Sequence, residues 1–500
     1  MTISSAFSII SSAFTSTASQ STVIATNIAN VNSTGYVREI ANQVTNDYGG
    51  ADVVSISRQA NAALLDQLGA STSASAAQSA ISSGLATLAQ TVDDSATTTS
   101  ATGAQQNGNS PQAMLANLQS ALTTYEASPS SAPAASAVVS AAQNVASSLN
   151  TGATAVAQAQ ETADQGMATA VDQINSLLSQ FQQANNAVVS GLQSGADISQ
   201  AKDQRDSLLT KLSQQVGITT TTNTNGSMSI YTDSGVTLFQ DQPQTVSFTP
   251  TTAFASSVTG NAVTVGGIPI TGTSAPMAIT SGALAGDAQL RDQIAPQYQA
   301  QLDQIAGGLI SAFAESDQSA SPTLPTLPGL FTAPGLTSVP TPSGSAGLAS
   351  AIEVNSNVIP SAGGNLNLLR DGGISSPGNP VYTYNTTGAA GFTSRIQGLV
   401  AALTTNQTFD AGAGLPTSAS LTSYASDSVG WLQGQAQSAS DAQNYQSSLV
   451  TQASSALTNA TGVNLDTEMT NMLNIENSYT SAAKLLTTVQ AMYSALMNAA

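Results

Sequence analysis

The chain has 500 residues, of which only 7% are charged, and its 9 Lys+Arg against 28 Asp+Glu leave a formal charge of -19. That balance, with the basic residues scattered singly, excludes nucleic acid and anionic membrane surfaces as partners, because both need clustered cations. The chain contains no Cys and no His, which removes disulfides, thiolate chemistry, the usual zinc sites and every Ser-His-Asp or Cys-His arrangement.

The first element is a charge-free stripe, Ile3, Phe7, Ile10, Phe14, then Ile24, Ile28 and Val31, on an alternating four-three step. A 3.5-residue average is the seam of a coiled coil. This start has no positive region, long apolar core or small-residue cleavage site, so it is unlike a conventional signal peptide. No apolar run approaches the ~18 residues of a membrane span. Asn27 to Gly35 reads as a helix stop and turn. Val53 to Leu68 reads as a short strand followed by helix. Ile81, Leu85, Leu88 and Val92 mark a helix that breaks at Asn107 to Pro111; Met114, Leu115, Leu118, Leu122 and Tyr125 mark another, closed by Pro129 and Pro133.

The longest helical signal runs through Val156, Met167, Val171, Ile174, Leu177, Phe181, Val188 and Leu192. Its roughly 40 residues make a rod of about 60 Å, a length suited to a bundle. Ile198 to Val216 gives a further helix, on which Lys202 and Asp206 can pair at i,i+4. The period then changes: Gly217 to Phe248 is Thr-rich and β-branched, with Asn225-Gly226 between two alternating runs as a hairpin signal, and Val258 to Ile279 continues in the same style. Helical spacing returns from Leu284 to Phe313. Residues 320–345 are dense in Pro, Gly, Ser and Thr and read as loop. Ile352 to Asp410 is turn-rich without a clear helix. Two helices, Leu421 to Leu457 and Leu465 to Leu496, close the chain. The last carries a second seam through Leu465, Met469, Met472, Ile475, Tyr479, Ala482, Leu486, Val489, Tyr493 and Leu496.

This order predicts a mainly α fold with β insertions (α+β), nested so that its ends meet. The expected divisions are a terminal coiled-coil assembly domain at 1–50 plus 455–500 and a helical bundle at 51–216 plus 281–319 plus 415–454. A β-rich insertion follows at 217–280 and a Pro/Gly-rich outer insertion at 320–414. Neither terminal seam can hide from water alone, and one seam does not offset the entropy of ordering its backbone. The simplest partners are the other seam and the same helices of neighbouring copies, so the ends are expected to be frayed in a lone chain and folded in an assembly.

Sites for chemistry are scarce. Asp203, Arg205 and Asp206 read as a solvated helix face with local ion pairs. Asp93-Asp94, or Glu315 with Asp317, could serve as a glycosidase pair, but nothing sets their separation, and Trp431 is the sole Trp among possible sugar platforms. Asp371-Gly372-Gly373 lacks the acidic spacing of a calcium loop, and no Walker or dinucleotide glycine motif is present. No catalytic residue, cofactor or metal is expected. Asn385-Thr386-Thr387 is the kind of triplet a Ser/Thr-rich chain contains by chance.

Two segments carry a resemblance. Asn27-Ile28-Ala29-Asn30-Val31-Asn32-Ser33-Thr34-Gly35-Tyr36-Val37-Arg38 resembles the N-terminal signature of bacterial flagellar rod, hook and hook-associated proteins. Gly462-Val463-Asn464-Leu465-Asp466-Thr467-Glu468-Met469, followed by Tyr479, Ala482, Ala483 and Lys484, resembles their C-terminal signature. Ser57-Arg58-Gln59 through Gln67-Leu68, Asp203 to Leu209, and Ser281-Gly282 through Leu302 to Ala306 narrow the likeness to the first hook-associated, hook-filament junction family. That resemblance implies a structural subunit exported by the flagellar type III apparatus without a cleaved signal, secreted into the flagellum. It implies self-association into a short helical zone, with hook protein below and a second junction adaptor and filament above. A cytoplasmic export chaperone would bind the last helix, with Leu465, Met469, Met472, Tyr479 and Leu486 as candidates. The assembly interface would comprise both seams plus Asn27, Asn30, Gly35, Tyr36 and Arg38. Alternatives are flagellin or a hook or rod protein and, in another class, a secreted enzyme or adhesin.

Overall fold

The computed structural model describes residues 3–33, 35–47, 49–94, 99–100, 103–104, 108–254 and 258–499. The first helix, α1 (Ile3–Ala29), is followed by an antiparallel hairpin of β1 (Glu39–Thr45) and β2 (Ala51–Arg58), whose register shifts between Asn42 and Gln43. The strand β1 had no sequence signal of its own, since its Ile40 and Val44 alternate with Ala41 and Gln43 over only seven residues. Residue 50 falls in the turn of this hairpin.

The body begins with α2 (Ala62–Ala89), whose cap Asn61 accepts from Leu64 N–H. A two-residue ladder, β3 (Thr99–Ser100) with β4 (Gly103–Ala104), leads to α3 (Pro111–Ala127). Pro111 sits at the first turn of α3, where its missing N–H costs nothing, and Ser110 caps it. The spine is α4 (Ala132–Ser194), 63 residues capped by Ser131 and ended by left-handed Gly195. At 1.5 Å per residue it is about 95 Å long. It begins well before the predicted Val156, because its first half buries small residues, Ala135, Val138, Ala142, Val145, Ala146 and Gly152, which carry a weak hydrophobic signal but let neighbouring helices approach closely.

After α5 (Ser199–Gln215) comes a four-stranded antiparallel sheet, β5 (Ile218–Thr222), β6 (Met228–Thr232), β7 (Thr237–Gln240) and β8 (Gln242–Pro243). Asn225-Gly226 turns β5 into β6, with Gly226 at φ +82°, as the sequence predicts. Helix then runs without a break through α6 (Ala283–Gln289), a π-helical turn (Leu290–Ile294) and α7 (Ala295–Ala312). The following region holds single turns α8 (Leu348–Ala351) and α9 (Leu368–Asp371) and one helix absent from the sequence reading, α10 (Ser394–Thr404), which buries Ile396, Leu399 and Leu403. The chain closes with α11 (Leu421–Thr461) and α12 (Leu465–Ala499).

Two hydrophobic cores share the spine. The first half of α4 shares one core with α2, α3, α7, α10 and α11; its second half, from Met167, shares the other with α5, α6 and the sheet. The two ends of the chain form a separate antiparallel pair: Phe14 meets Tyr479 edge-on at 5.0 Å between ring centroids, and Ser21 meets Met472. Where one seam alone suggested frayed ends in a lone chain, both ends are helical here, because the hairpin gives α1 a second wall through Gln43 Nε2 and Ser16 Oγ, 2.5 Å apart.

Three predictions follow from the body's packing. Gly286 on α6 lies against the α2 backbone, where an added methyl would come within 2.3 Å of the Ala77 carbonyl oxygen. Gly286→Ala is expected to lower stability by about 1–3 kcal/mol. Gly434→Ala, in α11 with open space around it, is expected to raise it by about 0.5–1 kcal/mol; paired denaturation midpoints check both signs. Burial pushes the Asp287 carboxyl up to about 7, with Asp287 seated against Gly166 of α4. Since the unfolded value is about 3.9, the folded chain holds the proton more tightly. This contribution is therefore complete below pH ~4 and is lost as pH rises through ~7. Asp287→Asn should flatten that part of the stability profile and stabilise the chain above pH ~7, as read from thermal midpoints across pH.

Candidate assembly interface

The N-terminal signature closes α1 onto the hairpin. Asn27, fully buried, accepts at Oδ1 from Glu39 N–H (2.9 Å) and Tyr36 OH (2.8 Å), while its Nδ2 donates to the Glu39 carbonyl (2.9 Å). Asn30 Nδ2 donates to the Thr26 carbonyl, and Gly35 takes φ +82°, which lets the chain reverse. Tyr36 loses water on burial and faces the Glu39 charge, so its phenol is held well above the ordinary range.

The next residues tie the two ends of the chain together. Arg38 N–H donates to the Thr461 carbonyl at the end of α11 (2.8 Å), and its Nε donates to Glu468 Oε1 in the first turn of α12 (2.6 Å). Glu468 is only 1% exposed. Asn464 accepts from Thr467 N–H at Oδ1 and from Glu468 N–H at its carbonyl, starting α12 after the break at Gly462. Gln59 N–H donates to the Arg38 carbonyl (2.9 Å), so the far end of the hairpin joins the same knot.

A second junction fastens the hairpin to the body. Arg58, nearly buried, pairs with Asp203 and, at 2.8 Å, with Asp206 on α5. The expected solvated face is thus a buried ion cluster, and Asp206 is taken by Arg58 instead of Lys202. Arg205 points inward as well, donating to the Gly226 carbonyl at 3.0 Å. Burial raises the Asp203 carboxyl despite the pull of Arg58. Burial, then the Asp197 charge, raises Glu39, and burial with Arg58 beside it lowers Lys202.

Along the terminal pair, the predicted seam is only partly closed. Ile10 and Ile24 are buried, Phe14 and Ile28 half-buried, and Phe7 exposed. Ile3 opens α1, but its side chain lies outside the described residues, as does Thr34 of the signature. On α12, Met472, Ile475, Leu486 and Val489 are half-buried and Ala482 buried, whereas Leu465, Met469, Tyr479, Tyr493 and Leu496 are exposed. The first turn of α12 therefore turns Glu468 inward, not Leu465 or Met469: a charged anchor occupies the place where periodicity alone put apolar residues. Glu468, Arg58, Asp203 and Asp206 were the residues the sequence reading left out of the interface. The signal for all four was their place inside the segments quoted for the resemblance.

The acidic residues weighed for catalysis have structural partners. Asp94 accepts from Ser110 N–H and Oγ, Glu315 from Ser375 and Arg395, and Asp317 from the N–H groups of Ser319, Thr323 and Leu324. Those hydrogen bonds, Ser319's first, hold Asp317 far below the usual carboxylate range. Asp371 binds Arg370 and Asn385. No group of three or more acidic residues able to hold a metal occurs among the described residues, and no helix among them is long and apolar enough to cross a membrane.

Breaking the knot from one side leaves a buried carboxylate unpaired. Arg38→Ala is expected to destabilise the terminal pair by about 2–4 kcal/mol, read as faster proteolytic cutting within 1–58 and 462–499 while the body stays resistant. Glu468→Gln added to Arg38→Ala should restore part of the loss, since no buried charge then remains.

The flagellar hook-associated protein FlgK helical domain family matches residues 102–321, covering α3 to α7 with the sheet insertion. The flagellar basal body rod FlgEFG protein C-terminal family matches residues 454–499, the end of α11 and all of α12. Together they span just over half of the chain. No curated protein matches it. A solved structure, the flagellar hook junction protein FlgK from Burkholderia pseudomallei, is 23% identical with a TM-score of 0.41, covering 54% of this chain and 46% of that one. The chain thus spans under half the length of that protein. One family model is thus seated on the body and the other on the closing helix, and both describe parts of bacterial flagellar proteins.

Proposed function

We propose that the chain is a junction adaptor of the bacterial flagellum, polymerising at the hook tip to join hook to filament. The observation that carries this reading is the terminal unit. Its two helices form an antiparallel pair that leaves Phe7, Met469, Tyr479, Tyr493 and Leu496 in water, and α1 contains no charged residue. A surface of that kind is satisfied by neighbours of the same kind. In this reading the terminal unit comprises 1–58 with 462–500, the helical bundle carries it, and the insertions at 217–280 and 320–414 face outward. Hook protein lies below, and a second adaptor and filament above.

Export through the flagellar secretion apparatus, without a cleaved signal, places the subunit outside the cell. The chaperone candidates divide into two sets. Leu465, Met469 and Tyr479 are exposed, while Met472 meets Ser21 of α1 and Leu486 is half-buried. A chaperone that takes all five holds α12 in place of α1, so that the seam closes only after release. Electron microscopy of a deletion strain tests the assignment. The expected outcome is hooks without filaments, reversed by the intact gene; loss of the hooks themselves would make the chain a hook or rod subunit.

A further inference from the structure

Exposed apolar side chains are not spread over this molecule. Of the nineteen large hydrophobic residues in water among the described residues, fourteen lie in the terminal unit, and nine of these form two groups. One group is on the hairpin: Ile40, Val44, Val54 and Ile56. The other is the last part of α12, where Leu485, Met492, Tyr493, Leu496 and Met497 are all more than half exposed. At 3.6 residues per turn these five fall on one face of α12, the same face that carries the half-buried Leu486 and Val489 of the seam. An apolar stripe on a helix calls for a partner along its whole length, and α1, which begins at Ile3, runs out before the end of α12.

The two groups lie at different levels along the pair. The contacts Phe14 with Tyr479 and Ser21 with Met472 set an antiparallel register, so α12 runs away from the knot at Glu468. The hairpin turn reaches only as far as Ile9 and Ser12, where Gly49 and Gly50 touch α1. Beyond it, the end of α12 is left without the wall that the hairpin provides nearer the knot. Two unlike surfaces on one molecule, each too apolar for water and displaced along its length, cannot satisfy each other within the same chain.

We propose that the tip of α12 docks on the outer surface of the hairpin of a second copy of this chain, in a head-to-tail contact. This deepens the polymer reading and rests on it. Charge supports the choice of occupant: Lys484, beside Leu485, has no ion pair among the described residues, and the hairpin turn offers exposed Asp47. The tip beyond Lys484 has no charged residue through Ala499, so it adds no repulsion against that turn. A contact between different patches does not close on itself as a two-fold dimer does. It continues as a ring or an open helix, which is the geometry a junction zone requires.

The chain's lack of Cys makes the test direct. Val44→Cys and Met492→Cys are made separately in the full-length protein, mixed at concentrations that give polymer, and oxidised. Docking raises the local thiol concentration to the millimolar range, so the mixed 44–492 disulfide should exceed either same-site disulfide by about a hundredfold. Val54→Asp, added to the chain that carries Val44→Cys, should abolish the 44–492 cross-link and raise the concentration needed for assembly. Polymer that forms with only same-site or no disulfides overturns the head-to-tail contact and leaves the adaptor reading intact. A chain that never polymerises, with or without the cysteines, overturns both.

Discussion

The fold depends on charge being rare and being spent inside. Six of the nine cations are arginines, and each holds together segments far apart in the chain. Arg38 reaches Glu468; Arg58 reaches Asp203 and Asp206; Arg205 reaches the Gly226 carbonyl; Arg291 reaches Asp164; Arg370 reaches the Pro129 carbonyl; and Arg395 reaches Glu315. The guanidinium suits this task because its fixed fork satisfies several acceptors at once without losing its charge. Around Arg291 the effect is plainest: its side chain is fully buried, bonded to Asp164, Asp292 and the Asn261 carbonyl. Asp164 in turn accepts from Thr251 N–H, so the insertion after β8 is fastened to the middle of the spine. A nested chain must return from each insertion to the same rod, and at these returns a directional bond sets the register where apolar contacts alone would let it slide.

Periodicity in the sequence revealed most of the helices and their order, and the Asn225-Gly226 hairpin, because those features rest on local chemistry. It underestimated α4 because Ala and Gly positions that pack closely look neutral on any hydrophobic scale, and it passed over α10, whose eleven residues sit in turn-rich surroundings. The buried arginine cluster was misread for a different reason. A charged run such as Asp203 to Asp206 has the same appearance whether it faces water or an arginine 145 residues earlier, and only the tertiary fold decides. The same holds for Glu468. The stripe around it was legible, but the choice of a carboxylate as the inward residue depends on Arg38, which comes from the other end of the chain.

That exchange at Glu468 has a structural reason. An apolar residue there would hold α12 against the hairpin by a non-directional attraction. The pair Arg38 and Glu468, with Asn27 bonded three times beside it, sets its rotation and its shift. The terminal unit is therefore well specified at the end nearest the body and left open at the other. Stability is concentrated where the chain crosses itself, and unsatisfied apolar surface where a second molecule has to bind.

Charge distribution works in the same direction. The segments 1–58 and 465–500 contain six acidic and three basic residues, so only three of the nineteen net negative charges lie in the terminal unit. The rest lie on the body. Exposed like charges closer than about one Debye length, ~8 Å in physiological salt, repel appreciably. Copies brought together through their ends meet almost no such opposition, whereas copies approaching body to body do. A chain with this division of charge associates through one part and holds the remainder apart, which favours an extended assembly with projecting bodies over an amorphous aggregate.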